Sequence, residues 1–515
     1  MRLGFFFGAG AEVGYGLPSG GQFAIDLFRQ DVSLHKQALR NQLQTQIDRQ
    51  SIYATNWLPD RFDSKRIHAF GKNEFSSLIE SSIEYRKQEM IRRLNQFDIE
   101  ADIALTQLGI TQERLAQCFS EKTGTVYGTR TYTQVVRMNP LLAQGIQIFA
   151  SHFYSAVLDV IRISPESVDL QRYAASFIQL LVGAQGQDLV QQLNQELFTE
   201  APDDISFFDD ISGMFKLEFT SAGSTAMDLL LAERRTFSSG EHATISDLLS
   251  AVVQQILENI FSTVLDYQSL IDSHFRYLYS PKTEWAKFTK MAIFLRTTRE
   301  YISTRLQRVV SIADCGYYHD LQRCEVLGIE ISTIGTANYN SLVESIASEI
   351  GFDIPEVMHL NGGVNDYYNP YKNSVLTCND PDQIPNDQIY VPFILTQSGL
   401  KPLTSVDMSR RYVSLFDSLA ESDGIVVIGY GFNVDDCHIN GMFRELVEDK
   451  QKHLYWVCVS SDQSAVQKER ELVIKLRISS NIDHVHVILV NRDSRLIDQV
   501  PWIDAINTHC MGDRE

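Results

Sequence analysis

The sequence predicts an α/β fold, a parallel sheet built from both ends of the chain and interrupted by a large all-helical insertion. Three observations carry that prediction. The apolar run Leu3-Gly4-Phe5-Phe6-Phe7 leads directly into the glycine-rich stretch Gly8-Ala9-Gly10-Ala11-Glu12-Val13-Gly14-Tyr15-Gly16-Leu17-Pro18. The residues that follow place apolar side chains at helical spacing for most of the next three hundred positions, and from about Gly328 short β-rich runs alternate with helical patterns.

Taken in order, the first element is a strand, then a glycine loop, then an amphipathic helix after Pro18 that runs through Leu27 and Phe28. Glycines suit such a turn because a phosphate can approach the backbone only where no Cβ intervenes, and the helix N-terminus adds partial positive charge. Residues 31–310 read as helical, with stripes such as Phe75-Leu78-Ile79-Ser82-Ile83, Ile148-Phe149-Phe153-Val157-Leu158-Ile161 and Leu248-Val252-Ile256-Ile260-Val264. Turn chemistry interrupts the pattern near residues 56–63, 123–129, 200–204 and 238–242. His152, His242 and His274 within it have no neighbour at metal-ligand spacing.

Strands are expected at residues 328–334, 356–360, 424–428, 454–459 and 485–490, with helices at 342–350, 411–421, 439–449 and 465–478. Nearly continuous apolar strands separated by helices imply a parallel sheet covered on both faces. The lone strand at Leu3 joins this sheet, so residues 1–30 and 311–515 are expected to form one core around the insertion. Ligands of such sheets bind beyond the carboxyl ends of the strands. Candidate site residues therefore lie in 8–19, 336–340, 359–363, 429–436 and 491–493.

Composition narrows the partners. The chain has 515 residues, 44% hydrophobic and 21% charged, with a formal charge of -20 that opposes direct binding to nucleic acid. The apolar run at the start is too short for a secretory segment and no other run reaches membrane-spanning length, so a cytoplasmic protein is expected, without membrane association. Seven scattered cysteines, none in a C-x-x-C pair, suggest reduced thiols and no structural zinc. Asp435, Asp436, His438 and Asn440 read as the capped start of a helix in preference to a metal site, and no metal is expected.

The ordered series of Gly8-Ala9-Gly10, Gly16-Leu17-Pro18, Thr336-Ala337-Asn338-Tyr339-Asn340, His359-Leu360-Asn361-Gly362, Gly429-Tyr430-Gly431-Phe432-Asn433-Val434-Asp435-Asp436 and Val490-Asn491-Arg492-Asp493 resembles the sirtuin family. It is more closely similar to the sirtuin-like NAD hydrolases of bacterial anti-phage defence. The similarity covers about the first thirty and the last two hundred residues. It implies a Rossmann-like, sirtuin-type core that hydrolyses NAD to nicotinamide and ADP-ribose. The resemblance implies that Gly8, Ala9, Gly10, Gly16 and Pro18 hold the diphosphate, and that Asn338 contacts the nicotinamide ribose and positions water. Gly429 and Tyr430 would close over the cofactor and Asn491 would contact the adenosine, while Asn340, Asn361 and Asp435 complete the cofactor site. His359 is the expected catalytic base.

The chain departs from that pattern in several places. Glu12 stands where the family has serine, Gly20-Gly21 replaces a Phe-Arg pair, Asn340 replaces aspartate, and Asn361 occupies the usual place of the histidine. His359, two residues earlier, faces the same side if the segment is a strand, though it also reads as a packed core histidine. Two alternatives therefore stand beside hydrolysis. One is a catalytically impaired nucleotide sensor or scaffold in a defence complex, the other a sirtuin-like deacylase, which the missing zinc-binding cysteines disfavour. The helical insertion is expected to mediate homo-oligomerisation or docking of a second defence protein.

Overall fold

A computed structural model describes residues 1–17, 20–134, 145–196, 223–232, 243–265, 274–310, 315–394, 405–433, 436–460 and 463–512. Contacts divide the chain into two compact units, one made of residues 1–19, 31–69 and 268–515 and the other of 20–30 and 70–267. Pro18 and Asp435, and the turns expected at 200–204 and 238–242, lie outside the described residues.

The first unit is α/β. Its main strands, in chain order, are β1 (Arg2–Phe7), β2 (Glu330–Thr336), β3 (Val357–His359), β4 (Gly362–Asn369), β5 (Ser374–Thr377), β6 (Val391–Ile394), β7 (Gly424–Ile428), β8 (His453–Val459) and β9 (Val485–Val490). Six of them form one sheet in the order β3-β2-β1-β7-β8-β9, and every adjacent pair is parallel. Counted within this sheet, the order is 3-2-1-4-5-6, so the direction of winding reverses between β1 and β7. In a doubly wound sheet the carboxyl edge at such a reversal is the usual ligand position.

Alternation along β1 shows why its sequence is continuously apolar. Phe5 and Phe7 join a core with Tyr318, Val426, Ile428, Val457 and Trp502 on one face. Phe6 joins Leu415, Leu419, Val427, Phe443 and Trp456 on the other. Both faces are covered by helices, among them Leu342–Glu349, Val406–Glu421, Cys437–Glu448 and Ala465–Leu476, close to the ranges that periodicity predicts.

A second sheet, β5-β4-β6, is antiparallel and lies in sequence between β3 and β7. Sequence patterning did not reveal it, because β4 reads Gly-Gly-Val-Asn-Asp-Tyr-Tyr-Asn, with glycine and polar residues where a strand signal needs β-branched ones. Its Val364, Tyr367 and Tyr368 are nevertheless buried. The helices Ser33–Thr45, Ile52–Trp57 and Trp285–Val310 also belong to this unit.

The second unit is helical. The helix Ile245–Val264 runs through its apolar core, with Leu248, Val252, Ile256 and Ile260 fully buried among Phe97, Phe153, Leu158 and Phe177. The stripe expected to begin at Ile148 is broken at Ser151, whose hydroxyl accepts the Tyr154 amide and starts the helix His152–Ile163. The helix Gly20–Phe28 packs here, on the end of Ile245–Val264: a Cβ at Gly21 would lie 2.5 Å from the Phe261 carbonyl oxygen. Arg29 then pairs with the buried Glu258 at 3.0 Å. The compact units divide the chain after residues 19, 30, 69 and 267, so a division falls at the expected boundary of 30 but none at 310. Among the described residues no helix is long and apolar enough to cross a membrane.

Candidate functional site

The carboxyl ends of β1 and β7 meet at backbone contact distance. Gly8 N donates to Ile428 O at 2.9 Å and Gly10 N to Gly429 O at 2.8 Å. A Cβ on Gly8 would stand 2.7 Å from the Gly429 oxygen and from Tyr430 Cα, and one on Gly10 would stand 2.8 Å from the Gly429 oxygen. Gly429 itself has a φ of 66°. Close approach of the two loops therefore accounts for these three glycines. Gly14, in contrast, faces open space, and Gly16 ends the 3-10 turn Ala9–Tyr15 in the left-handed conformation with φ 78°.

Glu12 lies on that turn, and sequence reasoning left its orientation open. Its carboxyl points inward and only 6% of the residue is exposed. Tyr318 Oη donates to Glu12 Oε1 at 2.9 Å and Asn340 Nδ2 donates to Oε2 at 2.7 Å. Burial raises the Glu12 carboxyl to about 7, against the opposing effect of the Asn340, Tyr318 and Asn338 hydrogen bonds and the His359 charge.

The β2 carboxyl end supplies both asparagines. Thr336 Oγ1 donates to Phe7 O and accepts the Asn338 amide, each at 3.0 Å, which folds the chain over the end of β1. Asn338 Nδ2 lies 3.4 Å from Tyr318 Oη. Asn340 Oδ1 accepts the Leu342 amide at 2.9 Å, leaving its Nδ2 aimed at Glu12. Tyr318 is held in turn by stacking on Tyr15 at 5.3 Å and an edge contact with Phe7 at 5.0 Å. Its backbone amide donates to Tyr15 Oη at 3.0 Å.

His359, at the end of β3, is fixed at both nitrogens. Nδ1 lies 3.0 Å from Asn338 O and Nε2 lies 2.8 Å from Glu344 Oε1. A carbonyl oxygen only accepts, so Nδ1 carries a hydrogen, and Nε2 shares a proton with the carboxylate. Burial pulls the imidazole down, but the Glu344 hydrogen bond and charge and the Asn338 carbonyl outweigh it, and the net direction is upward. His359 and Glu344 line a pocket of about 360 Å³, together with Asp366 and Arg411. Arg411 grips the buried Asp366 with two hydrogen bonds of 2.6 and 2.7 Å.

The expected residues are thus not all brought together. Gly8, Ala9, Gly10, Gly16, Asn338, Asn340, Gly429 and Tyr430 converge around the β1 and β7 ends, with His359 attached through the Asn338 carbonyl. Asn361 is fully buried and donates to Ala337 O at 3.1 Å. Asn491 follows the edge strand β9, and its exposed side chain accepts the Asp493 and Ser494 amides of its own turn. Tyr318 and Glu344 were missed by sequence reasoning. The first sits in a helix of four residues with no motif, and the second is one of many helical glutamates.

Among the described residues no group of three histidine, cysteine or acidic side chains stands ready to hold a metal. The chain matches no protein-family model and no curated protein sequence.

Proposed function

We propose that this protein hydrolyses NAD to nicotinamide and ADP-ribose, through a sirtuin-type, Rossmann-like core into which a helical region is inserted, as an effector of anti-phage defence. The observation that carries the reading is Glu12: a buried carboxyl titrating about 7, bonded to Tyr318 and Asn340 beside the glycine loop at the winding reversal of the sheet. A buried acid perturbed in this way, at the carboxyl edge of a parallel sheet, is characteristic of catalytic sites.

The chemistry asks little of the protein beyond orientation, charge and a water. The bond from ribose C1′ to the nicotinamide nitrogen breaks, its electron pair leaves with neutral nicotinamide, and positive charge develops on the ribose. Ionised Glu12 would stabilise that charge and accept a proton as water adds to C1′. Asn338 would orient the ribose and the water. His359, already protonated on Nδ1 and sharing a proton at Nε2, is better suited to hold Asn338 in place than to act as the base. Gly14 and Gly16, which face open space, leave room beside the loop for a diphosphate.

Release of nicotinamide from NAD by the purified protein tests this reading. Turnover that vanishes in Glu12→Gln and Asn338→Ala supports it, and NAD left intact by every oligomeric form of the protein refutes it. The second reading, a nucleotide sensor without catalysis, is favoured by Asn361, a buried residue engaged with the backbone at the position where the family carries its histidine. Saturable NAD binding with no turnover would select it. The helical unit is proposed to mediate self-association or docking of a second defence protein, which mass photometry of the protein alone and with candidate partners would detect.

A further inference from the structure

The first unit contains a second pocket, of about 430 Å³, that shares no residue with the strand-end site. The helices Ser33–Thr45 and Trp285–Val310, the small sheet and the connection between β5 and β6 line it. Its inner wall carries two arginines and a buried hydroxyl that has no hydrogen-bond partner. Arg296 is half-buried and pairs with no carboxylate among the described residues; its Nη2 reaches only Gln42 Oε1 at 3.1 Å and Tyr390 O at 3.5 Å. Gln42 is in turn fixed by donating to Asn386 O and Gln388 O, at 3.2 and 3.0 Å. Burial lowers the Arg296 guanidinium to about 10, so it remains a cation near neutral pH.

Arg299, one helical turn on, donates to Val364 O at 2.6 Å and lies 5.3 Å from the centre of the Tyr367 ring. Tyr367 is 5% exposed, yet its hydroxyl has no hydrogen-bond partner. Two guanidinium groups and an unpartnered hydroxyl in one recess, with His35 also on the wall, make an incomplete structure. A half-buried cation that pairs with no carboxylate and a buried hydroxyl without a partner are each unfavourable. The acidic residues of the lining, Glu300 and Asp382, are exposed.

An anion inserted into the recess would satisfy all of these groups. A phosphate is the best match, since its oxygens accept several charge-assisted hydrogen bonds at once and its charge balances two arginines. The volume falls in the range of small-molecule sites, and Pro381, Pro385, Pro392 and Tyr390 offer walls for an organic body. We propose that this pocket binds a phosphorylated small molecule, with the phosphate held by Arg296, Arg299 and the Tyr367 hydroxyl. This goes beyond the reaction assigned to the strand ends and does not depend on it.

Isothermal titration calorimetry with pyrophosphate, AMP and adenosine tests the proposal on the full-length protein. Pyrophosphate or AMP should bind saturably, and Arg296→Ala and Tyr367→Phe should each weaken that binding about tenfold, the worth of one hydrogen bond to a charged group. Tyr367→Phe keeps the ring beneath Arg299, so it tests the hydroxyl without disturbing the packing. The proposal is overturned if neither anion binds at millimolar concentration, or if adenosine binds as tightly as AMP. It is equally overturned if Arg296→Ala and Tyr367→Phe both bind pyrophosphate and AMP as tightly as the wild type, because the anion then sits elsewhere, as at the glycine loop.

Discussion

Tyr318 Oη donates to Glu12 Oε1 at 2.9 Å across 306 positions of chain, joining the turn after β1 to a short helix that precedes β2. The bond fixes an acid inside the carboxyl edge of the sheet, where water would otherwise solvate it. Its proton equilibrium therefore becomes part of the folding equilibrium.

The folded Glu12 titrates about 7 against an ordinary value of 4.5. A raised carboxyl stabilises the fold only below the unfolded value, and that contribution is lost as pH rises from about 4.5 through about 7. At about 1.4 kcal/mol per pH unit the full effect is on the order of 3 kcal/mol. Urea midpoints measured from pH 5 to 8 should fall in the wild type and fall markedly less in Glu12→Gln. An unchanged slope in the variant would show that the carboxyl is already ionised in the fold.

The glycine loop separates packing from openness at neighbouring positions. Gly10→Ala forces a Cβ against the Gly429 carbonyl, backbone against backbone, and overpacking of that kind typically costs about 1–3 kcal/mol. Gly14→Ala meets nothing and should leave stability within about 0.5 kcal/mol of wild type. Denaturant unfolding of the two variants distinguishes them. Equal losses would mean that the loop does not close on β7 in this way.

This pair also shows what the sequence can and cannot convey. Six strands and their helices were legible because strands buried on both faces must be apolar throughout, as Phe5-Phe6-Phe7 and Ile425-Val426-Val427-Ile428 are. The glycines at 8, 10 and 429 could be recognised as a special loop, but only the paired strands reveal that they accommodate one another. The partners of Glu12 are not legible, because nothing near it in sequence announces Tyr318 or the inward turn of Asn340. The polar strand β4 was invisible for a related reason: its burial comes from partners distant in the chain, while local propensity opposes it.

His359 and Glu344 make a second proton-linked pair. Glu344→Gln removes the carboxylate that, with the Asn338 carbonyl, holds the imidazole above its usual range. The His359 titration midpoint, followed by NMR of the ring protons, should fall in the variant. A raised histidine stabilises the fold below its unfolded value and loses that contribution as pH climbs through its folded one, so the wild type should lose this part at higher pH than the variant does. An unmoved midpoint would remove Glu344 as the cause.

The reaction assigned to the strand ends makes its sharpest claim at Asn338. Its side chain contacts Tyr318 Oη at 3.4 Å and is not part of the apolar core, so Asn338→Ala should unfold at nearly the wild-type denaturant concentration while NAD turnover drops by about a hundredfold or more. Asn361 behaves oppositely. It is fully buried and donates to Ala337 O, so Asn361→Ala should lower stability by about 1–3 kcal/mol, with turnover per folded molecule less affected. His359→Gln should fall between them, reducing turnover through displacement of the Asn338 carbonyl that it contacts at 3.0 Å. Measuring nicotinamide release and denaturant midpoint on the same preparations separates loss of chemistry from loss of fold. Full turnover in Asn338→Ala would exclude it from the chemistry, and abolished turnover in a stably folded Asn361→Ala would move the reacting centre to the end of β3.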